Sequence, residues 1–438
     1  MTSFFAFVFV LGVLIFVHEL GHFVMARRIG VRVLTFSLGF GPKLLGFRRG
    51  DTEYCISAVP LGGYVKMAGE TPEDARTGAS DEFLSKTKWQ RFQVLVMGPV
   101  MNLALALIVM ALVLYQGAQV PLYEERPTVV SAFSDTSPAK QAGLQIGDAI
   151  IAIDGQRTET WQDLQIIVFG KAKQRVTLTV IRDGKNIDIP VNVGARGRFE
   201  IGDIGILPVI RPVVSDLEHD SPGQQAGLQP GDIIVGADGE MHVSNPRLVE
   251  IIRAHPNTPI KLEVLRGGEN KTITVTPRPA DGAAKIGAHL TVESRTVNPG
   301  IVEAFKLSAA QNWEWATLIL KTLGGLLTRQ TSVKTLMGPV AIADLSGTAA
   351  EQGWLQLFSL MAMISLNLGM LNLMPIPVLD GGHIAILAME GVSRRDFSMK
   401  VKEKMLLAGF VLLVTLMVTV IYNDLTRIEW VERLMPWR

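Results

Sequence analysis

Cysteine is almost absent. Cys55 stands alone among 438 residues, which excludes an intrachain disulfide framework and a zinc site built from thiolates. Histidine is scarce as well, seven in all, so any clustering of imidazoles carries weight. An excess of one charge is missing: 42 Lys and Arg against 41 Asp and Glu give a formal net charge of +1. That balance does not suit a polyanion, and no nucleic-acid partner is expected. What the chain has in excess is apolar side chains, 48% of residues with a positive mean hydropathy, gathered in a few blocks. Its length allows two to four domains.

Four blocks approach the ~20 apolar residues that cross a bilayer: about 3–25, 94–115, 355–374 (running on towards Asp380) and 405–422. The first has no basic stretch before Phe4, is long for a signal sequence and lacks an Ala-x-Ala cleavage site, so a retained membrane helix is expected. Basic residues agree on an orientation. Arg27, Arg28, Arg32, Lys43, Arg48 and Arg49 follow the first span; Lys86, Lys88 and Arg91 precede the second; Arg394, Arg395, Lys400, Lys402 and Lys404 separate the third and fourth. These clusters predict one cytoplasmic side, with both termini and residues 116–355 on the other.

Within the first span stands His18-Glu19-Leu20-Gly21-His22. On a helix, i and i+4 place both imidazoles on one face, where they can reach one zinc ion, and the glutamate beside the first can act as base on a zinc-bound water. Three ionisable groups in an apolar span are costly unless they are used. The motif falls in the cytoplasmic half of its helix.

Two imidazoles and a water leave a catalytic zinc one protein ligand short. The candidate lies in Asn372-Leu373-Met374-Pro375-Ile376-Pro377-Val378-Leu379-Asp380-Gly381-Gly382-His383. Pro375 and Pro377 break the third span, and irregular backbone at membrane depth is tolerated where protein or a water-filled cavity surrounds it. Asp380 is the preferred third ligand, because Gly381-Gly382 permit a sharp turn. His383 is the competing ligand, or a group behind the ligands.

The extramembrane stretch is duplicated. Ser137-Pro138 recurs as Ser221-Pro222, Ala142-Gly143-Leu144-Gln145-x-Gly147-Asp148 as Ala226-Gly227-Leu228-Gln229-x-Gly231-Asp232, Asp154-Gly155 as Asp238-Gly239, and Arg182-x-Gly184 as Arg266-x-Gly268. Each pair is 84 residues apart, which implies two copies of one small domain. The series resembles tandem PDZ domains of the circularly permuted bacterial kind. Such domains bind a peptide end at a sheet edge; Gly205-Ile206-Leu207 is then the candidate carboxylate-binding loop, and peptide ligands are candidate partners.

Residues 30–70 hold two β-prone runs, Val31 to Phe40 and Tyr54 to Val65. A hairpin dipping into the membrane beside the motif is expected, whose edge could hold an unwound substrate as an added strand. Residues 300–354 look amphipathic, with Trp313, Trp315, Lys321, Arg329 and Lys334 suited to an interface. Gly324-Gly325 and Gly338-Pro339 are candidate hinges.

Together these features resemble the site-2 protease family of intramembrane zinc metalloproteases, over nearly the whole chain. His18-Glu19-x-x-His22 matches its first motif, Asn372-x-x-Pro375-x-Pro377-x-x-Asp380-Gly381 its second, and Gly98-Pro99-Val100-Met101-Asn102 opens the second span as in that family. The two PDZ repeats narrow the resemblance to the sigma-E regulator type. The resemblance implies one zinc ion on His18, His22 and Asp380, Glu19 as base, and Asn372 with Asn367 holding substrate. It implies single-span membrane substrates: an anti-sigma factor after a first cleavage, and remnant signal peptides. It also implies a multi-pass protein of the bacterial inner membrane with periplasmic PDZ domains and termini.

The expected fold is a multi-pass α-helical membrane protein: four transmembrane helices, a membrane-associated β-hairpin region and two extramembrane α+β PDZ domains. The expected layout is span 1 (1–26), hairpin region (27–92), span 2 (93–116), PDZ 1 (117–210), PDZ 2 (211–298), interfacial helices (299–354), span 3 (355–388), cytoplasmic loop (389–404), and span 4 with the tail (405–438). The alternatives are a catalytically silent PDZ scaffold and a metal carrier. A scaffold needs neither Glu19 nor a distant third ligand, and a transporter usually repeats its membrane half.

Overall fold

The computed structural model describes residues 2–70, 78–124, 126–134, 136–196, 201–208, 210–241, 243–280, 283–328, 331 and 336–426. Arg329, Lys334 and the tail beyond 426 lie outside the described residues. The chain forms two compact units. One comprises Met1–Gly117, Asn298–Arg329 and Val333–Arg438; the other, inserted in it, comprises Ala118–Val297 with Gln330–Ser332.

In the first unit four helices are long and apolar enough to cross a membrane: Thr2–Arg28, Lys88–Tyr115, Trp354–Asn372 and Lys400–Leu425. Three of them contain an expected block whole, and the third ends at Asn372, two residues short of the expected 374. The first stops after Arg27 and Arg28, where Gly30 takes φ +73°, as glycine readily does past a helix end. The second starts at a capping box in which Thr87 Oγ1 accepts from Gln90 N and Gln90 Oε1 accepts from Thr87 N. The first three share a core of Val10, Leu14, Val109, Met110, Met361, Ala362 and Ile364. The second is the most buried of the four and the fourth the least.

Among the described residues three further α-helices belong to this unit, Ile301–Leu327, Pro339–Gln352 and Asp380–Val392. Ile301–Leu327 lies on the second spanning helix, where Ser308 Oγ donates to Leu107 O at 2.8 Å. Trp313 on it is exposed, whereas Trp315 packs on the shared core. Gly324-Gly325 falls inside this helix and does not interrupt it. Pro339–Gln352 is capped from the fourth spanning helix: Asp424, 3% exposed, accepts from Gly338 N at 3.2 Å and Ala341 N at 3.1 Å. At the opposite end of the fourth helix, Lys402 Nζ meets Glu390 Oε1 at 2.7 Å, and Lys88 Nζ donates to the Glu390 carbonyl at 2.8 Å. Lys88 and Lys402, two of the basic residues used to predict the orientation, thus both fasten Glu390 in the segment between the third and fourth spans.

The region after the first helix is more than a hairpin. Strands Val33–Arg49 and Thr52–Met67 are both bent, and their register makes four rows. Residues 33–38 pair with 63–67 on one side and 53–56 on the other, while 43–49 pair with 52–57. The fold-back occurs at Gly39 and Gly41, with φ +92° and +85°, conformations that cost other residues strain. Ser37 and Ser57 close the middle of the sheet with an Oγ–Oγ hydrogen bond of 3.0 Å. Rows 43–49 and 63–67 are its two edges.

The second unit holds two hydrophobic clusters, and the 84-residue offset runs through both. Leu144, Ile150, Leu164, Leu178 and Val180 are buried in the first, and Leu228, Ile234, Leu248, Leu262 and Val264 in the second. The repeated polar residues form the frame around them. Arg182 makes a two-pronged pair with Asp148 at 2.7 and 2.6 Å and donates to Gly143 O at 3.0 Å. Arg266 repeats this with Asp232 at 2.6 and 2.7 Å and Gly227 O at 2.8 Å. Asp154-Gly155 and Asp238-Gly239 have φ > 0 at both residues, as tight hairpin turns require.

Candidate metal centre and active site

The first spanning helix turns both imidazoles of the motif one way, and the third ionisable group arrives from the other end of the chain. His18 Nε2 lies 3.2 Å from His22 Nε2 and 3.1 Å from Asp380 Oδ2, and His22 Nε2 lies 3.4 Å from the same oxygen. All three side chains are largely shielded from solvent. A tetrahedral zinc with bonds of about 2.0–2.1 Å holds its ligand atoms about 3.3 Å apart. The three edges scatter closely around that value, so the donor set and its spacing fit a zinc ion with a fourth position left open. This is the one such cluster found among the described residues.

Asp380 is delivered by a break in the helical path. The third spanning helix ends at Asn372; Pro375 and Pro377 carry the chain through an irregular turn; and a new helix, Asp380–Val392, starts at the aspartate. At the first helical position the carboxylate also meets the positive end of that helix's dipole. Val378 takes φ +86°, a strained setting for a β-branched residue, two positions before Asp380. Gly381 and Gly382 serve a different purpose from the sharp turn expected of them. Neither has positive φ, and both are helical. A β-carbon at Gly381 would overlap Met374 O, and one at Gly382 would overlap Ile376 O. Glycine is required there because two backbone segments touch.

The second spanning helix supplies the wall of the site. Val94, Gly98 and Asn102 recur at i, i+4 and i+8 and share one face. Val94 O is 2.8 Å from His22 Nδ1, and Asn102 Nδ2 is 3.3 Å from His18 Nδ1. Between them, a β-carbon at Gly98 would overlap His22 Nε2 and lie 2.8 Å from His18 Cε1. Sequence reasoning missed this ridge as part of the site. A carbonyl such as that of Val94 leaves no mark in a sequence, but Asn102 does, as a lone amide in an apolar run.

Glu19 is half-buried on the first spanning helix, next to the sheet: a β-carbon at Gly63 would lie 3.0 Å from Glu19 Cγ. His383, one turn beyond Asp380, is half-buried and is not gathered with His18, His22 and Asp380. Asn367 and Asn372 are both half-buried on the third spanning helix. Five residues correspond to about 140° around a helix axis, so they do not share a face. In the second unit, Ile206 and Leu207 pair with Phe133 and Ala132, and Gly205 takes φ +71°. Gly287 repeats that conformation at φ +65°.

Comparison with known proteins follows the same residues. The model of Peptidase family M50 matches residues 6–416. The regulator of sigma-E protease RseP of Salmonella typhimurium is 36% identical over 97% of this chain and 98% of that protein. RseP of Escherichia coli K12 is 34% identical over 97% and 98%. A Neisseria meningitidis protein, provisionally named as a zinc metalloprotease, is 31% identical over 98% and 100%.

Proposed function

The chain belongs to Peptidase family M50, and on that footing we propose that one zinc ion held by His18, His22 and Asp380 is its catalytic centre, with Glu19 as the base. It is an intramembrane zinc metalloprotease of the site-2 type. The observation that carries the proposed ligand set is the triangle of two imidazole nitrogens and one carboxylate oxygen. When bound, zinc supplies Lewis-acid activation of a water and of the scissile carbonyl. Glu19 takes the proton of the attacking water and passes it to the departing amine. Val94 O fixes the orientation of His22, and the Pro-broken segment holds Asp380 in reach of both imidazoles. Asn372 and Asn367 act on substrate, from different faces of their helix.

A membrane-spanning substrate hides its peptide bonds in a helix and must be unwound. The row 63–67 offers the means. No further strand pairs with its outer edge among the described residues, and Gly63 lies beside Glu19. An extended substrate added to that edge would pass the base. The substrates are single-span membrane proteins: an anti-sigma factor after its first cleavage, in keeping with relatives named as regulators of sigma-E protease, and remnant signal peptides.

The protein lies in the inner membrane. The second unit is two PDZ domains on the periplasmic side with both termini, and the sheet dips into the membrane from the cytoplasmic side. The basic clusters support this orientation. A groove between helix Asn245–Ala254 and strand Ala288–Val292, lined by Val249, Arg253, His289 and Leu290, suits a peptide at the second PDZ domain. Glu19→Gln and Asp380→Asn test the centre. The first should keep its zinc and lose cleavage of a single-span substrate; the second should lose both. Cleavage by Glu19→Gln would overturn the role of the base.

A further inference from the structure

Each imidazole of the motif has two nitrogens, and only one can face the metal. His18 Nε2 faces His22 and Asp380. For Nε2 to offer a lone pair, the neutral ring must carry its proton on Nδ1. A buried N–H needs an acceptor. His22 meets this demand with Val94 O at 2.8 Å. For His18, the neighbour of Nδ1 is the Asn102 amide, 3.3 Å away through Nδ2.

Asn102 is 1% exposed, in a helix otherwise apolar at this depth, and its Oδ1 is a buried oxygen without a hydrogen-bond partner. Such an atom costs roughly 1–3 kcal/mol in a protein interior. Turning the amide by 180° about its last bond exchanges Oδ1 and Nδ2. The oxygen then faces His18 Nδ1 and accepts its proton. At the same level Ser365 Oγ, fully buried on the third spanning helix, donates to the backbone oxygen of Asn102 at 2.8 Å, a contact that involves no atom of the amide.

We infer that Asn102 is a positioning residue for the metal centre: its amide oxygen accepts from His18 Nδ1–H and so fixes the tautomer and ring orientation that present Nε2 to zinc. This rests on the proposed ligand set. It makes the second spanning helix the common holder of both imidazoles, through a carbonyl at 94 and an amide at 102.

The test is zinc affinity of the full-length protein in detergent, measured by competition with a chromogenic chelator, for wild type, Asn102→Leu, Asn102→Asp and Ser365→Ala. Removing a partner of a metal-bound histidine typically weakens binding about 10–100-fold, and Asn102→Leu should fall in that range. Asn102→Asp keeps an acceptor and should bind at least as tightly as wild type. Ser365→Ala loses a helix–helix hydrogen bond at the same level but no acceptor, and should stay near wild type. Metal-free melting of each variant is recorded beside zinc affinity, because Asn102→Leu removes the unmatched amide atom but also the partner of His18 Nδ1. Should Asn102→Leu not accumulate, Asn102→Ala against Asn102→Asp gives the same contrast. Wild-type affinity in Asn102→Leu, or equal losses in Asn102→Leu and Asn102→Asp, overturns the inference. Absence of zinc from wild type would instead overturn the ligand set.

Discussion

Gly98 is where a single methyl group should do most damage. In Gly98→Ala the new carbon would overlap His22 Nε2 and lie 2.6 Å from His22 Cε1 and 2.8 Å from His18 Cε1. Non-bonded carbons settle about 3.5–4.0 Å apart, so each ring has to retreat by roughly 1 Å. Metal–ligand distances tolerate only about ±0.2 Å. Neither imidazole can yield that far and remain a ligand in place. Loss of a partner behind a ligand costs about 10–100-fold in metal affinity, and displacing two ligands should exceed it. We expect a loss above ~100-fold, or about 2.8 kcal/mol at 1.4 kcal/mol per tenfold. Overpacking should also cost about 1–3 kcal/mol of fold stability, so metal-free melting has to be followed beside zinc titration. Gly12 on the first helix is the control: nothing lies within 4 Å of its built β-carbon, and Gly12→Ala should bind zinc and cleave as wild type does. A Gly98→Ala protein with full zinc affinity and normal cleavage of a single-span substrate would refute the placement of the second helix against the imidazoles.

Four further expectations follow from the same structure. Val378→Gly removes a strained φ of +86° and should relieve part of the ~1–3 kcal/mol such settings cost, while a looser Asp380 lowers turnover; an unchanged melting temperature and rate would count against strain at this position. Asp424→Leu takes the cap from helix Pro339–Gln352 and should cost about 1 kcal/mol, read as a lower melting temperature and faster proteolysis near residue 338. The Arg182 guanidinium beside Asp148 holds that carboxyl below its usual range. Its contribution is therefore complete above about pH 4, the unfolded value, and is lost as pH falls through the lower folded value. Arg182→Met should flatten this acid limb in melting experiments, and an identical acid profile would contradict it. Deleting residues 118–297 should let the protease cut substrates that keep bulky outer domains, if the PDZ pair acts as a size filter; continued refusal of them would end that idea.

The groups the structure gathers at the centre were readable in advance because their chemistry is written in residue type and spacing. His18 and His22 are one helical turn apart, and Asp380 follows two prolines that forbid a continuous helix. The duplicated unit was readable for a similar reason: Asp148, Arg182 and their counterparts are the frame of each copy, so they recur with the buried Leu178 and Leu262. Illegible were contacts made by backbone or by the absence of a side chain. Nothing marks Val94 O as a partner of His22, and the run Gly98-Pro99-Val100-Met101-Asn102, though it carries the family resemblance, does not say that Gly98 faces the imidazoles. The second bend of each long strand was also missed, since β-prone runs do not say how often a strand turns back on its own sheet. Gly39 and Gly41 were the available signal. Gly381-Gly382 drew attention for flexibility, whereas their use is close approach to Leu373 and Ile376.

The proposed ligand groups stand at positions 18, 22 and 380, so the centre closes across 358 residues of chain. Ribosomes add about 5–20 residues per second, which puts roughly 20–70 s between the appearance of His22 and that of Asp380. Throughout that interval the growing polypeptide carries two imidazoles and Glu19 in its first helix, without the third donor. The order of synthesis thus acts as a timer: the enzyme cannot cut bonds, its own included, until its third spanning helix has been made and inserted.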